Sequence, residues 1–160
     1  MRYLFIYFFI FLFLISCTRK WSSNELNLVS SNYLNVGYSA SEVECLVENM
    51  AEKISPSDYL ASLENLKKGS SIDRSYIEKV MQIESKCVEP GYTDSLKKRL
   101  VFIFQSRGLN ESASLCVFEE IQKRYSYEQY MKEDSNYIAG EATPSYVAFL
   151  NVVERDCKNK

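Results

Sequence analysis

The chain has 160 residues with 19 basic and 21 acidic side chains, a formal net charge of −2, and without a basic stripe it makes a poor nucleic-acid binder. It contains no histidine, which removes Ser-His and Cys-His nucleophilic pairs and the commonest metal ligand together. With only five glycines and neither a Gly-x-Gly-x-x-Gly nor a P-loop, it carries no nucleotide-cofactor signature, and its cysteines are spaced too widely for a zinc knuckle or a Cys-x-x-Cys redox pair.

The first element reads as a leader. Arg2 supplies a positive start, residues 3–15 are uncharged, and small Ser16 precedes Cys17 before the polar Thr18-Arg19-Lys20. A bilayer-spanning helix takes about 20 apolar residues, so this shorter run is a processed signal. Its last residues, Leu14-Ile15-Ser16-Cys17, resemble the lipobox of bacterial lipoprotein signal peptides. The resemblance covers residues 1–20 and implies that 1–16 is removed, that Cys17 is lipidated and heads the mature chain, and that 17–22 is a tether. It further implies an exported protein held in the bacterial cell envelope by acyl chains, which at about 0.8 kcal/mol per buried methylene make the attachment permanent. Lipoproteins kept at the inner membrane of enteric-type bacteria carry an aspartate after the cysteine. Thr18 stands there instead, which implies the periplasmic side of an outer membrane where the organism has one.

Helix punctuation follows in order. Ser22-Ser23-Asn24-Glu25 is a capping box, opening a helix to about Leu34 that Gly37 ends, and Ser39 with Glu42 opens a second that carries Cys45. Ser55 followed by Pro56 and Asp58 starts a third, broken at Gly69. Asp73 caps a fourth that carries Tyr76, Val80, Ile83 and Cys87 and stops before Pro90-Gly91. The remaining caps are Thr93, Asn110, Ser126 with Gln129, and Thr143 with Pro144. Apolar residues recur at three and four positions and never convincingly at two, so no strand is expected.

These eight helices form a repeat. Setting Cys45 on Cys116 puts Gly37 on Gly108, Met50 on Ile121, Ser55 on Ser126, Tyr59 on Tyr130 and Leu60 on Met131. One deletion later, Ser75-Tyr76-Ile77 falls on Ser145-Tyr146-Val147, Ile83 on Val153 and Glu84 on Glu154. The fold expected is all-α, two tandem four-helix repeats of about 70 residues, covering 23–90 and 91–160, with the second packed on the first as helical repeats do.

Five cysteines are an odd number for an exported chain, and giving Cys17 to the lipid leaves four that can pair completely. Cys45 and Cys87 are 42 residues apart, Cys116 and Cys157 are 41. If each copy is one unit, each closes its own bridge, Cys45 to Cys87 and Cys116 to Cys157. Cross-unit pairs such as Cys45 to Cys116 stay open at this point.

Glu44, Glu48 and Glu52 share a helix face, but the second copy has Leu115, Glu119 and Lys123 at the aligned places, so a solvated face is expected rather than a catalytic or calcium-binding cluster. The repeated tyrosines read as core rings with hydroxyls reaching a cap or the surface. No enzymatic activity, cofactor, metal or nucleic-acid partner is expected. Two functions remain: a non-catalytic helical interaction or structural module that meets an envelope protein partner at the membrane, or a carrier that holds an apolar small molecule or lipid between the repeats. For the carrier, Phe102, Phe104, Phe118 and Phe149 are the candidate ligand-binding residues. A closed seam between the units favours the module and an apolar cavity there favours the carrier.

Overall fold

Among the described residues, eight helices follow one another as the caps dictate: α1 (Ser23–Val36), α2 (Ala40–Lys53), α3 (Pro56–Lys67), α4 (Arg74–Cys87), α5 (Asp94–Ser106), α6 (Glu111–Arg124), α7 (Tyr127–Ala139) and α8 (Pro144–Lys158). The structure is a computed structural model that describes residues 20–159, within which there is no strand; the leader and Cys17 lie outside the described residues. Each helix begins at the cap read from the sequence. Ser22, Ser39 and Ser126 form reciprocal boxes with Glu25, Glu42 and Gln129, and Ser55, Asp73, Thr93, Asn110 and Thr143 accept first-turn backbone N–H groups. Such caps satisfy orphan donors and are worth about 1 kcal/mol each.

The repeat is structural. Cys45 is bonded to Cys87 and Cys116 to Cys157, with Cα–Cα distances of 5.5 and 5.7 Å, so each unit closes its own bridge between its second and fourth helices. The chain-entropy estimate for loops of this size is about 4 kcal/mol per bridge. Trp21 and Tyr92, at matching places in the repeat, also perform matching tasks. The Trp21 indole N–H donates to Ile54 O at 2.9 Å, and the Tyr92 hydroxyl donates to Tyr125 O at 3.1 Å. Each ring also meets the tyrosine of the following helix, Tyr59 at 5.6 Å and Tyr130 at 6.3 Å. Both copies thus pin the residue after the second helix with a polar aromatic from the first.

Two apolar clusters result, one per unit. Val29, Leu46, Met50 and Ile83 anchor the first, and Leu100, Val117, Ile121 and Tyr146 anchor the second. The units join where α1 packs on α5 and α4 on α7. Across that seam the Ile72 N–H donates to Ile138 O at 3.2 Å, and Arg74 Nη1 donates to Asn136 Oδ1 at 2.7 Å. Gly37, at φ 110°, turns the chain so close to α5 that a Cβ would stand 3.1 Å from Lys98 Cβ, so this turn both needs the left-handed conformation and has no room for a side chain.

The copies are unequally filled. Tyr146 is 1% exposed, enclosed edge-on by Tyr125 at 5.6 Å and Tyr137 at 6.3 Å. Tyr76, its counterpart, is half-buried, because the positions matching Tyr125 and Tyr137 hold the smaller Ile54 and Leu66. The expectation of two equivalent core tyrosines therefore fails at Tyr76, whose ring lines a space rather than filling one. Tyr146→Ala is expected to cost about 3–5 kcal/mol, as large aromatic truncations in packed cores do, and Tyr76→Ala less than about 2 kcal/mol. Urea midpoints of the two variants, with constant slope, measure the difference.

Candidate functional site

The space beside Tyr76 is a cavity of about 370 Å³ between the two units. Its walls come from α1 (Tyr33, Val36), α3 (Tyr59, Leu63, Leu66) and α4 (Tyr76, Ile77, Val80, Met81) on the first unit's side, and from α5 (Leu96, Leu100, Ile103) and α7 (Tyr130, Met131, Ile138) on the other. The amphipathic faces of five helices converge here, since the four-helix units meet over α1, α4, α5 and α7 and leave α3 to close one side. Leu66, Ile103 and Ile138 are partly exposed at 54%, 42% and 37%, so apolar side chains reach from the cavity wall to the surface.

Three charged side chains stand among these apolar ones. Arg99 on α5 reaches across the seam to Glu84 on α4, with Nη1 3.6 Å from Oε1, and its guanidinium lies 4.2 Å from the centre of the Tyr38 ring. The Tyr38 hydroxyl donates to the same Glu84 oxygen, and burial together with the Glu84 charge pushes that phenol well above its ordinary range. Arg99 Nε is the one buried side-chain nitrogen or oxygen without a hydrogen-bond partner among the described residues. Glu42 stands nearby. Burial opposes its charge, but hydrogen bonds from Ser39 and Ser95 outweigh that and hold its carboxyl below the ordinary value.

Asp134 on α7 is different. It lines the cavity and is pushed from 3.8 up to about 6 by burial and then by the facing Glu84 charge, with the neighbouring Tyr130 and Tyr146 hydroxyls acting the other way. It is half-buried by exposed area, and since that area belongs to the cavity wall, desolvation still dominates. Arg107, beyond the end of α5, pulls the other way, but that guanidinium is committed to Glu154 at 2.7 Å and to the Tyr137 hydroxyl at 2.8 Å. Among the described residues Asp134 has no ion-pair partner.

The four phenylalanines expected to line a ligand site are elsewhere. Phe104 and Phe118 are buried in the second unit's cluster and Phe149 packs against it, its ring 5.2 Å from Tyr125. Phe102 is 39% exposed on α5. None of the four lines the cavity, because those rings are what fill the second copy. Glu44, Glu48 and Glu52 lie exposed on α2, away from the seam. Arg99, Glu84 and Asp134 escaped the sequence reading although a signal was present: each interrupts an apolar stripe at helical spacing, as Arg99 does between Leu96, Leu100 and Ile103. No family model, curated protein or solved structure matches the chain.

Asp134 makes stability depend on pH in an unusual direction. Its proton affinity is higher folded than unfolded, so its contribution is fully present below the unfolded value near 3.8 and is lost as pH rises through about 6. Between about pH 7.5 and about pH 5, wild-type stability should therefore rise by on the order of 1 kcal/mol more than that of Asp134→Asn. Paired urea titrations across that window measure it.

Proposed function

We propose that the protein is a lipid-anchored, exported envelope protein that binds an apolar small molecule in the cavity between its two helical units, without transforming it. The cavity carries this reading. At about 370 Å³ it falls in the size range of small-molecule sites, and its mostly apolar lining with a few convergent polar groups has the composition of such sites. The second copy supports it too, since there the equivalent tyrosine, Tyr146, is 1% exposed and enclosed by Tyr125 and Tyr137. The lipobox-like Leu14-Ile15-Ser16-Cys17 supports attachment through Cys17.

A helical module docking on an envelope protein is the second reading. Leu66, Ile103 and Ile138, exposed at 54%, 42% and 37% along one lining, favour it, because contiguous exposed apolar side chains suit a partner surface.

The environment-sensitive dye 1-N-phenylnaphthylamine tests the first reading. It should brighten with the wild-type protein and not with Val80→Trp, which places a larger ring in the cavity wall while folding is retained by circular dichroism. Equal brightening with both proteins, or none with wild type, counts against binding in the cavity. Attachment is tested separately. Cys17→Ser should move the protein from the membrane to the soluble fraction of its host with an unchanged urea midpoint, since Cys17 precedes every helix of the described residues, and retention at the membrane would contradict the anchor.

A further inference from the structure

We infer that the molecule bound in the cavity is an organic cation, an apolar body carrying a quaternary or protonated amine that sits between Asp134 and Glu84 against the tyrosine rings. The inference rests on the binding reading above and adds the ligand's charge.

Charge balance at the wall comes first. Arg99 is the one basic side chain that lines the cavity, against the carboxylates of Glu84 and Asp134. Arg99 is already matched by Glu84 at 3.6 Å and by the face of Tyr38. That leaves Asp134 with a charge that two neighbouring phenols favour but no cation meets, and an ionised carboxylate in an apolar space is costly unless paired. A ligand cation supplies the missing partner. A ligand anion would have both carboxylates against it, with only the unpartnered Nε of an Arg99 whose charge Glu84 already balances in its favour.

The aromatic lining is the second observation, independent of the carboxylates. Five tyrosines, Tyr33, Tyr38, Tyr59, Tyr76 and Tyr130, line the cavity, and their hydroxyls are engaged. Tyr33 donates to Met50 Sδ at 3.2 Å, Tyr38 to Glu84, and Tyr59 accepts from Asn32 Nδ2 at 3.0 Å. Tyr76 and Tyr130 have Ser62 and Asp134 as the polar neighbours of their hydroxyls. With hydroxyls held, the rings offer π-electron density to the interior, and a cage of such rings is the recurrent solution for binding alkylammonium groups. Arg99 over Tyr38 already shows one of these rings taking a cation.

A proton follows from the same geometry. An ammonium beside Asp134 favours its ionised form against burial and Glu84, with Tyr130, Tyr146 and Arg107 assisting from α7, α8 and the end of α5. Binding therefore expels the Asp134 proton, and affinity should rise as pH increases through about 6.

Calorimetric titration of the wild-type protein with octyltrimethylammonium, octanol and octanoate at about pH 7.5 is the test, since the three share a tail and differ in head charge. The ammonium should bind about tenfold or more tighter than the alcohol, and octanoate weakest. Asp134→Asn should bring the ammonium's affinity down toward the alcohol's. Tyr76→Leu, which keeps an apolar side chain at a half-buried place, should weaken the ammonium more than the alcohol. Octanol or octanoate binding as tightly as the ammonium, or an ammonium preference that survives in both variants, overturns the inference while leaving the cavity a binding site. Failure of all three probes and of 1-N-phenylnaphthylamine overturns the binding reading with it.

Discussion

Each four-helix unit is clamped by one disulfide between its second and fourth helices, and this constraint decides what the other helices are free to do. With α2 fixed to α4 and α6 to α8, the first helices pack on the clamped pairs and also meet each other across the seam as α1 and α5. The third helices are the exception. α7 rests on α4 of the other unit, while α3 has no comparably close helix neighbour and is held by side chains such as Tyr59. Both third helices line the cavity, so it is bounded on two sides by the elements that the bridges do not tie down. Small units with small cores need such covalent support, and the support leaves room for one wall of each unit to be given to something other than its own core.

Duplication supplies the internal comparison that shows what was changed. Trp21 and Tyr92 hold the same carbonyl position by different donors, Gly37 and Gly108 end the same helix at φ 110° and 93°, and the bridges coincide. Against this common frame, Tyr125 and Tyr137 of the second copy become Ile54 and Leu66 of the first. Tyr76 lacks the two rings that Tyr146 has beside it and stands in the cavity wall together with Leu66. Interiors close at near-crystalline density, so a deficit of this size at a seam persists as space unless neighbouring helices collapse into it, and the clamped helices α4 and α8 do not.

Much of the fold was legible because its determinants are local. A serine, threonine, asparagine or aspartate cap, reinforced at Ser22, Ser39 and Ser126 by a glutamate or glutamine three residues on, announces a helix start without knowledge of anything distant, and all eight starts fall where such caps stand. The bridges became legible through the repeat, since equivalent cysteines in equivalent units select the intra-unit pairing from the alternatives. The cavity was not legible, because it depends on which apolar residues of five helices fail to meet. Phe102, Phe104, Phe118 and Phe149 were sensible candidates by composition, yet three of them fill the second unit. The better guide was charge out of place: Glu84, Arg99 and Asp134 each stand where an apolar residue would continue a helix stripe, and burying a charge is justified only by a partner.

The space between the units is what the proposed binding function and the proposed ligand charge both require, and it can be observed without a ligand. Xenon enters dry apolar cavities and scatters strongly. In crystals of the protein pressurised with xenon, an anomalous peak should stand between Val80 and Met81 of α4, Leu100 of α5 and Met131 of α7. Crystals that show no xenon at that seam, with these four side chains in mutual contact instead, would contradict a ligand space between the two units.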